Sequence, residues 1–138
     1  MTPKLSPMLG IDPGIARLGW AVVNQSGQQT KLVDAGLLTT PAKQAMPMRL
    51  MKQAKEFRAL IKKYKPVAVS LEQVFFTTNV STALITSQVR GMLLLVAAEH
   101  GLLINEFTPT AIKLAVTDVP LDALATGVDV REDRKSVV

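Results

Sequence analysis

Two carboxylates follow apolar segments that are typical of buried strands, and both stand where such a strand would end. Asp12 closes "LGID" directly before a Pro-Gly pair, and Glu72 closes "VAVSLE". A charge at the end of a core strand costs free energy unless something pairs with it, so each acid needs a partner. If the two strands are parallel neighbours, both acids emerge at one edge of the sheet.

Two carboxylates held together repel each other, and each favours a divalent cation as a common partner. The chain has no cysteine and one histidine, and an oxygen-only donor set suits Mg²⁺ or Mn²⁺ better than zinc. Such a pair is the core of a two-metal phosphodiester site. The pattern alone leaves an alternative open, in which Asp12 only caps the turn that follows it and Glu72 pairs with an arginine.

The composition is typical of one globular domain with a polyanionic partner. The chain has 138 residues, is 48% apolar and carries a net charge of +5. Residues 1–98 hold 12 Lys or Arg against 4 acids, a net charge of +8, which favours nucleic acid as a partner. The absence of cysteine, of a signal peptide and of an apolar run long enough for a bilayer predicts a cytoplasmic protein without a membrane segment.

Apolar periodicity predicts five strands and three helices. The strands span residues 8–12, 18–23, 30–40, 67–72 and 102–107, and the helices span residues 47–64, 80–100 and 109–116. Hairpins join the first three strands, the second through a polar turn at 24–29, and helices precede the later strands. This order predicts an α/β fold of the ribonuclease H type: a mixed five-stranded sheet, its first three strands antiparallel, with helices on both faces.

Three longer stretches match a known family in order and spacing. They are "LGIDPGIARLGWAVV" (9–23), "LEQVFFTTNVSTALITSQVRG" (71–91) and "EFTPTAIKLAV" (106–116). Together they resemble the RuvC family of Holliday-junction resolvases over residues 8–117. The first stretch alone also fits actin-like and sugar-kinase ATPases, but their two domains exceed 138 residues. The shorter RuvC-like nucleases that process ribosomal RNA lack the Glu-Gln-Val-Phe loop.

The resemblance implies a function for the whole chain. It implies a homodimeric, Mg²⁺-dependent (or Mn²⁺-dependent) endodeoxyribonuclease that resolves four-way DNA junctions by paired symmetric nicks during homologous recombination and DNA repair. A branch-migration helicase complex of the RuvA-RuvB type is the implied protein partner. By position, Asp12 and Glu72 match the first two catalytic acids of the family, which also bind the metal.

Further residues take roles from the same resemblance. Phe75 matches an aromatic that wedges against bases near the junction centre; its alternative is a loop ring folded back onto the sheet. Lys113 matches a catalytic, DNA-binding lysine near the scissile phosphate, where an ammonium can offset developing charge; its alternative is a solvated helix face. Lys135 matches a second such lysine. Arg90 and Gly91 match a Gln-x-x-Gly motif, which predicts a DNA contact at Arg90 and close helix packing across the dimer at Gly91.

The remaining acids of the family pattern are not evident. The family carries Asp-x-x-Asp-Ala-Leu-Ala on a final helix, whereas this chain has only "DVPLDALA", with Asp118 and Asp122 four residues apart and Pro120 between them. We therefore expect residues 1–138 to form a single nuclease domain without its last helix. In the alternative, Asp118 and Asp122 serve as substitute metal ligands. The missing acids also leave open a junction-binding module without catalysis.

Overall fold

The chain folds around one mixed sheet, which a computed structural model describes for residues 6–26, 28–72 and 79–107. In these ranges the elements are β1 (Ser6–Asp12), β2 (Arg17–Ser26), β3 (Gln29–Thr39), α1 (Met46–Tyr64), β4 (Ala68–Glu72), α2 (Val80–Glu99) and β5 (Leu103–Phe107). The strand order is β3-β2-β1-β4-β5. The first three strands are antiparallel, and β4 is parallel to both β1 and β5. The predicted mixed five-stranded sheet is confirmed.

The hairpin between β2 and β3 differs from the prediction. The polar segment 24–29 is not mainly a turn, because β2 continues to Ser26 and pairs with Gln29 at the start of β3. Strand pairing uses backbone groups, so polar side chains do not prevent it. A run of polar residues therefore does not by itself mark a turn. The helix predicted over residues 109–116 lies outside the described residues.

The two helices of the described ranges pack on one face of the sheet, so the expectation of helices on both faces stays a prediction. Alternate residues of the central strands, Leu9 and Ile11 of β1 and Val69 and Leu71 of β4, belong to one core cluster with residues of both helices. The helical members are Ala54, Phe57 and Ile61 of α1 and Val89, Leu93, Val96 and Ala97 of α2. Because side chains alternate between faces along a strand, Asp12 and Glu72 belong to the opposite face.

The first helix is amphipathic and ends sharply. Pro47 lies in its first turn, and Lys65 follows the last turn in a left-handed conformation (φ 49°), with its N–H donating to Ile61 O at 2.9 Å. Pro66 follows and cannot continue a helix. The outer face is basic and exposed; its members are Lys52, Lys55, Arg58, Lys62 and Lys63.

The end of α1 is tied to β3 through Tyr64. The Tyr64 hydroxyl donates a hydrogen bond to Asp34, and the Tyr64 ring lies 6.0 Å from that of Trp20. Trp20 in turn covers Gly36, where a Cβ would come within 2.8 Å of the indole ring. The hydrogen bond from Tyr64, then that from the Ala35 N–H, lowers the pKa of Asp34 below its ordinary value.

The second helix is capped at both ends. At its start the Asn79 side chain accepts a hydrogen bond from the Thr82 N–H at 3.1 Å, which satisfies one of the free amides of the first turn. At its end the His100 imidazole Nδ1 lies 2.8 Å from Val96 O. Since a carbonyl only accepts, Nδ1 is the donor in this bond. His100 is thus the C-terminal cap of α2.

One side of α2 is buried and the other carries exposed apolar residues. Val89, Leu93 and Val96 are fully buried against the sheet, whereas the outer side exposes Val80, Leu84, Gly91 and Leu95. We call these four residues the α2 stripe. By length and mean hydropathy (1.5) this helix could cross a membrane, but one of its sides packs into the core of this domain. The expectation of no membrane segment stays a prediction.

Candidate active site

The two predicted acids end adjacent parallel strands in register. The pairing of β1 with β4 runs from Met8 with Ala68 to Ile11 with Leu71, and Asp12 and Glu72 are the next pair. Neighbouring strands are separated by about 4.8 Å, so the two side chains leave the same face of the sheet side by side. Asp12 is exposed and Glu72 partly buried. We call the ends of β1 and β4 at Asp12 and Glu72 the carboxylate edge.

Small residues leave room beside Asp12. Its antiparallel partner in β2 is Gly19, where a Cβ would stand 3.7 Å from the Asp12 Cβ. On the same face, Gly10 precedes Asp12 in β1 and pairs with Ala21. The neighbouring strand therefore places no large side chain against the Asp12 carboxylate, and this side of it is open to a ligand.

The ligand atoms at the carboxylate edge are of the type that a hard divalent cation prefers. Both groups are carboxylates, the ligand type that Mg²⁺ and Mn²⁺ prefer, and the partial exposure of both leaves them accessible. Among residues 6–26, 28–72 and 79–107, however, no group of three or more His, Cys, Asp or Glu could hold a metal ion. The described part of the chain thus supplies two protein ligands, and Asp118 and Asp122 lie outside it.

Arg90 lies within the fold and is held by an acid. Its guanidinium forms an ion pair with Glu106 of β5, and the side chains are 16% and 33% exposed. Glu106 pairs in register with Leu71, so its carboxylate belongs to the helix-covered face and not to that of Glu72. The predicted DNA contact at Arg90 stays a prediction, but most of this guanidinium is shielded and already engaged by Glu106.

The other predicted site residues lie outside the described residues. These are Phe75 in the loop after β4, and Lys113 and Lys135 further along the chain. Gly91 is exposed on α2, and apart from its own helical turn no atom of the described ranges comes within 4 Å of where its Cβ would stand. Gly91 is therefore not required for packing against the sheet, which is compatible with the predicted role at a dimer surface.

Sequence reasoning missed a basic residue beside the carboxylate edge. Arg17 begins β2 and is exposed. It lies two residues before Gly19, the partner of Asp12, so strand alternation puts it on the face of the two acids. A cation there can contact the phosphate backbone of a nucleic acid. Only the short distance along the chain from Asp12 could have indicated it.

The sheet order, with a mixed five-stranded sheet and two acids at adjacent strand ends, defines a ribonuclease H-like α/β domain. Solved structures share this fold: Thermus thermophilus RuvC in complex with a Holliday junction substrate has a TM-score of 0.72 at 24% identity, over 80% of this chain and 69% of that one. The yeast mitochondrial Holliday junction resolvase Ydc2 has a TM-score of 0.60 at 14% identity, over 95% of this chain and 63% of that one.

Sequence comparison then identifies the family. The model of crossover junction endodeoxyribonuclease RuvC matches residues 8–125, and the chain belongs to the RuvC family. Curated relatives of that name include those of Chloroflexus aggregans, 46% identical over 78% of this chain, and Rubrobacter xylanophilus, 44% identical over 80%. The chain spans 66% and 62% of their lengths, respectively. Nucleases of this family depend on a divalent metal.

Proposed function

We propose that this chain is the nuclease domain of a Holliday-junction resolvase, which nicks two opposed strands of a four-way DNA junction in recombination and repair. The observation that carries the proposal is the carboxylate edge, where Asp12 and Glu72 end adjacent parallel strands in register. Membership of the RuvC family supports the junction as substrate, because the relatives are named crossover junction endodeoxyribonucleases.

In this function Asp12 and Glu72 would hold a divalent cation, and we propose Mg²⁺, or Mn²⁺, on the chemistry of the donors. The cation supplies Lewis-acid activation of the scissile phosphate and of the attacking water. The two carboxylates fix its position, and the open side of Asp12 next to Gly19 lets a phosphate approach. Arg17 on the same face attracts the DNA backbone, as the basic outer face of α1 does at longer range.

The experiment is cleavage of a synthetic four-way junction against a linear duplex of the same sequence, with Mg²⁺. The wild-type chain should nick the junction, and Asp12→Asn and Glu72→Gln should abolish nicking while junction binding stays equal or becomes slightly stronger. Each substitution removes a metal ligand and also lowers the repulsion toward phosphate. Glu99→Gln is a matched control, because Glu99 is exposed and contacts only the Arg58 guanidinium among residues described, at 3.4 Å. Parallel loss of binding and nicking would contradict a metal role for Asp12.

A second candidate function is junction binding without cleavage. It is favoured by one observation, that the described residues bring together no third metal-ligating side chain beside the two acids. The same assay separates the candidates: tight, salt-sensitive junction binding without nicking, in either Mg²⁺ or Mn²⁺, supports the binding module. Binding by either candidate should weaken steeply with salt, since the basic surface displaces counterions from DNA.

We further propose a homodimer that uses the α2 stripe. Leu84 and Leu95 are 52% and 59% exposed, and Gly91 between them lets another backbone approach closely. An exposed apolar stripe of this kind is typical of an interaction surface, and paired nicks in a symmetric junction call for two sites related by a two-fold axis. Family membership also supports association with a branch-migration helicase complex.

A further inference from the structure

The turn that follows Asp12 is held by three donors from distant parts of the chain. Gln53 of α1 donates its amide to Gly14 O at 2.8 Å and to Ile15 O at 3.1 Å. Thr40, just after β3, donates its hydroxyl to Ile15 O, and its N–H donates to Ala16 O at 3.2 Å. Three consecutive carbonyls of the turn between β1 and β2 therefore have donors from outside the turn.

A third side chain supports this arrangement from α1. The Arg49 Nε donates to the Thr40 hydroxyl oxygen at 2.8 Å, which leaves the hydroxyl proton free to bond Ile15 O. We call Thr40, Arg49 and Gln53 the turn clamp. All three side chains are buried, with Gln53 fully so. Partial shielding from water strengthens these hydrogen bonds, and their loss is costly because the buried donor side chains would be left without a partner.

The orientation of the Gln53 side-chain amide shows that its nitrogen, and not its oxygen, bonds the turn. Carbonyl oxygens only accept, so the amide nitrogen has to face Gly14 and Ile15. The amide oxygen, Oε1, is buried without a hydrogen-bond partner among the described residues. A buried amide with one half unsatisfied is unfavourable for stability alone. The bonds to the turn are thus the contribution that distinguishes glutamine from an apolar residue at this position.

We infer that the turn clamp is a positioning device for Asp12, an inference that rests on the proposed function. Asp12 is exposed, so packing around its own side chain does not fix it. Its backbone is fixed by pairing with Gly19 on one side and by the turn two residues later. The clamp ties that turn to α1 and to the end of β3, and so determines where the Asp12 carboxylate stands relative to Glu72.

The test compares substitutions in the clamp with a stability-matched substitution next to it. Thr40→Val keeps the shape and removes the hydroxyl, Thr40→Ser keeps the hydroxyl, and Gln53→Met removes the amide at similar volume. The control is Ala54→Gly, which weakens the same helix at a buried position without a hydrogen bond to the turn. The measurements are the melting temperature and Mn²⁺ binding by calorimetry. The Mn²⁺ binding that disappears in Asp12→Asn is assigned to the carboxylate edge.

Thr40→Val and Gln53→Met should bind Mn²⁺ about 10-fold or more weakly, as is usual when the support of a metal ligand is removed. Thr40→Ser should restore most of the affinity, and Ala54→Gly should melt lower yet bind Mn²⁺ like the wild type. If Thr40→Val and Gln53→Met instead behave like Ala54→Gly, the clamp is merely structural and only this inference is overturned. A wild-type chain that neither takes up Mn²⁺ at Asp12 nor nicks a junction overturns the proposed function and this inference with it.

Discussion

Gly14 is the position at which one added methyl group should disturb the carboxylate edge most. Its Cβ would stand 2.4 Å from Arg17 O, a backbone atom, whereas an ordinary C···O contact is about 3.3 Å. The turn would have to open by roughly 0.9 Å, and because the obstacle is backbone no side-chain rotation can relieve it. Gly14 has no positive φ, so this glycine is required for close approach and not for its backbone conformation.

We expect Gly14→Ala to lower the free energy of unfolding by about 1–3 kcal/mol, the usual cost of inserting a methyl group into a packed site. Since the Gly14 carbonyl is held by Gln53 at 2.8 Å, opening the turn also disturbs the clamp and should weaken Mn²⁺ binding at Asp12. Urea unfolding and calorimetry measure the two effects. Gly10→Ala is the matched control: its Cβ would meet Ala21 O at 4.0 Å, an ordinary contact, and stability should hold or rise. A Gly14→Ala variant that is as stable as Gly10→Ala and binds Mn²⁺ as tightly as the wild type would refute the reasoning.

Three further outcomes are expected. Tyr64 lowers the pKa of Asp34, so this hydrogen bond stabilises the fold above the unfolded pKa of about 3.8, and that stabilisation is lost as the pH falls through the lower folded pKa. Urea unfolding between about pH 6 and pH 2 should therefore show a smaller decrease in the free energy of unfolding for Tyr64→Phe than for the wild type. Leu84→Lys and Leu95→Lys should convert the proposed dimer to monomers in light scattering, and an unchanged mass would exclude the α2 stripe as the dimer interface. Phe75→Ala should weaken junction binding by about 1–3 kcal/mol through lost base stacking, while binding to linear duplex and the melting temperature of the protein stay nearly unchanged. A large drop in the melting temperature would instead mean that the Phe75 ring packs in the core.

The strands of the mixed sheet and the two acids at their ends were predictable because their signals are local. Apolar segments that end in Asp12 and Glu72 mark two strands, and an intervening helix makes those strands parallel. Residues at matching strand ends then meet without any knowledge of side-chain packing. The family resemblance added roles to positions that the pattern had already selected.

The turn clamp could not be predicted, because its bonds leave no pattern in the sequence. Gln53 lies 39 residues from Gly14 along the chain, and a glutamine on an amphipathic helix is ordinarily assigned to the solvated face. Thr40 is equally unremarkable after a strand. The Arg90–Glu106 pair was missed for a similar reason: Glu106 is one of two polar residues in a short, otherwise apolar strand, and its partner is on another element.

The division of the sheet into two faces explains why chemistry and stability should be separable in this chain. Phe57 of α1 and Leu93 of α2 are fully buried on the helix-covered face, and that burial supplies the hydrophobic stabilisation. Asp12 and Glu72 leave the opposite face at the strand ends, where one is exposed and the other partly buried. Neutralising either acid therefore removes no core contact and relieves like-charge repulsion. The exception is the turn after Asp12, since Gln53 reaches it from the core side. Loss of metal binding together with loss of stability is thus expected from changes in that turn and its clamp, and not from changes in the acids themselves.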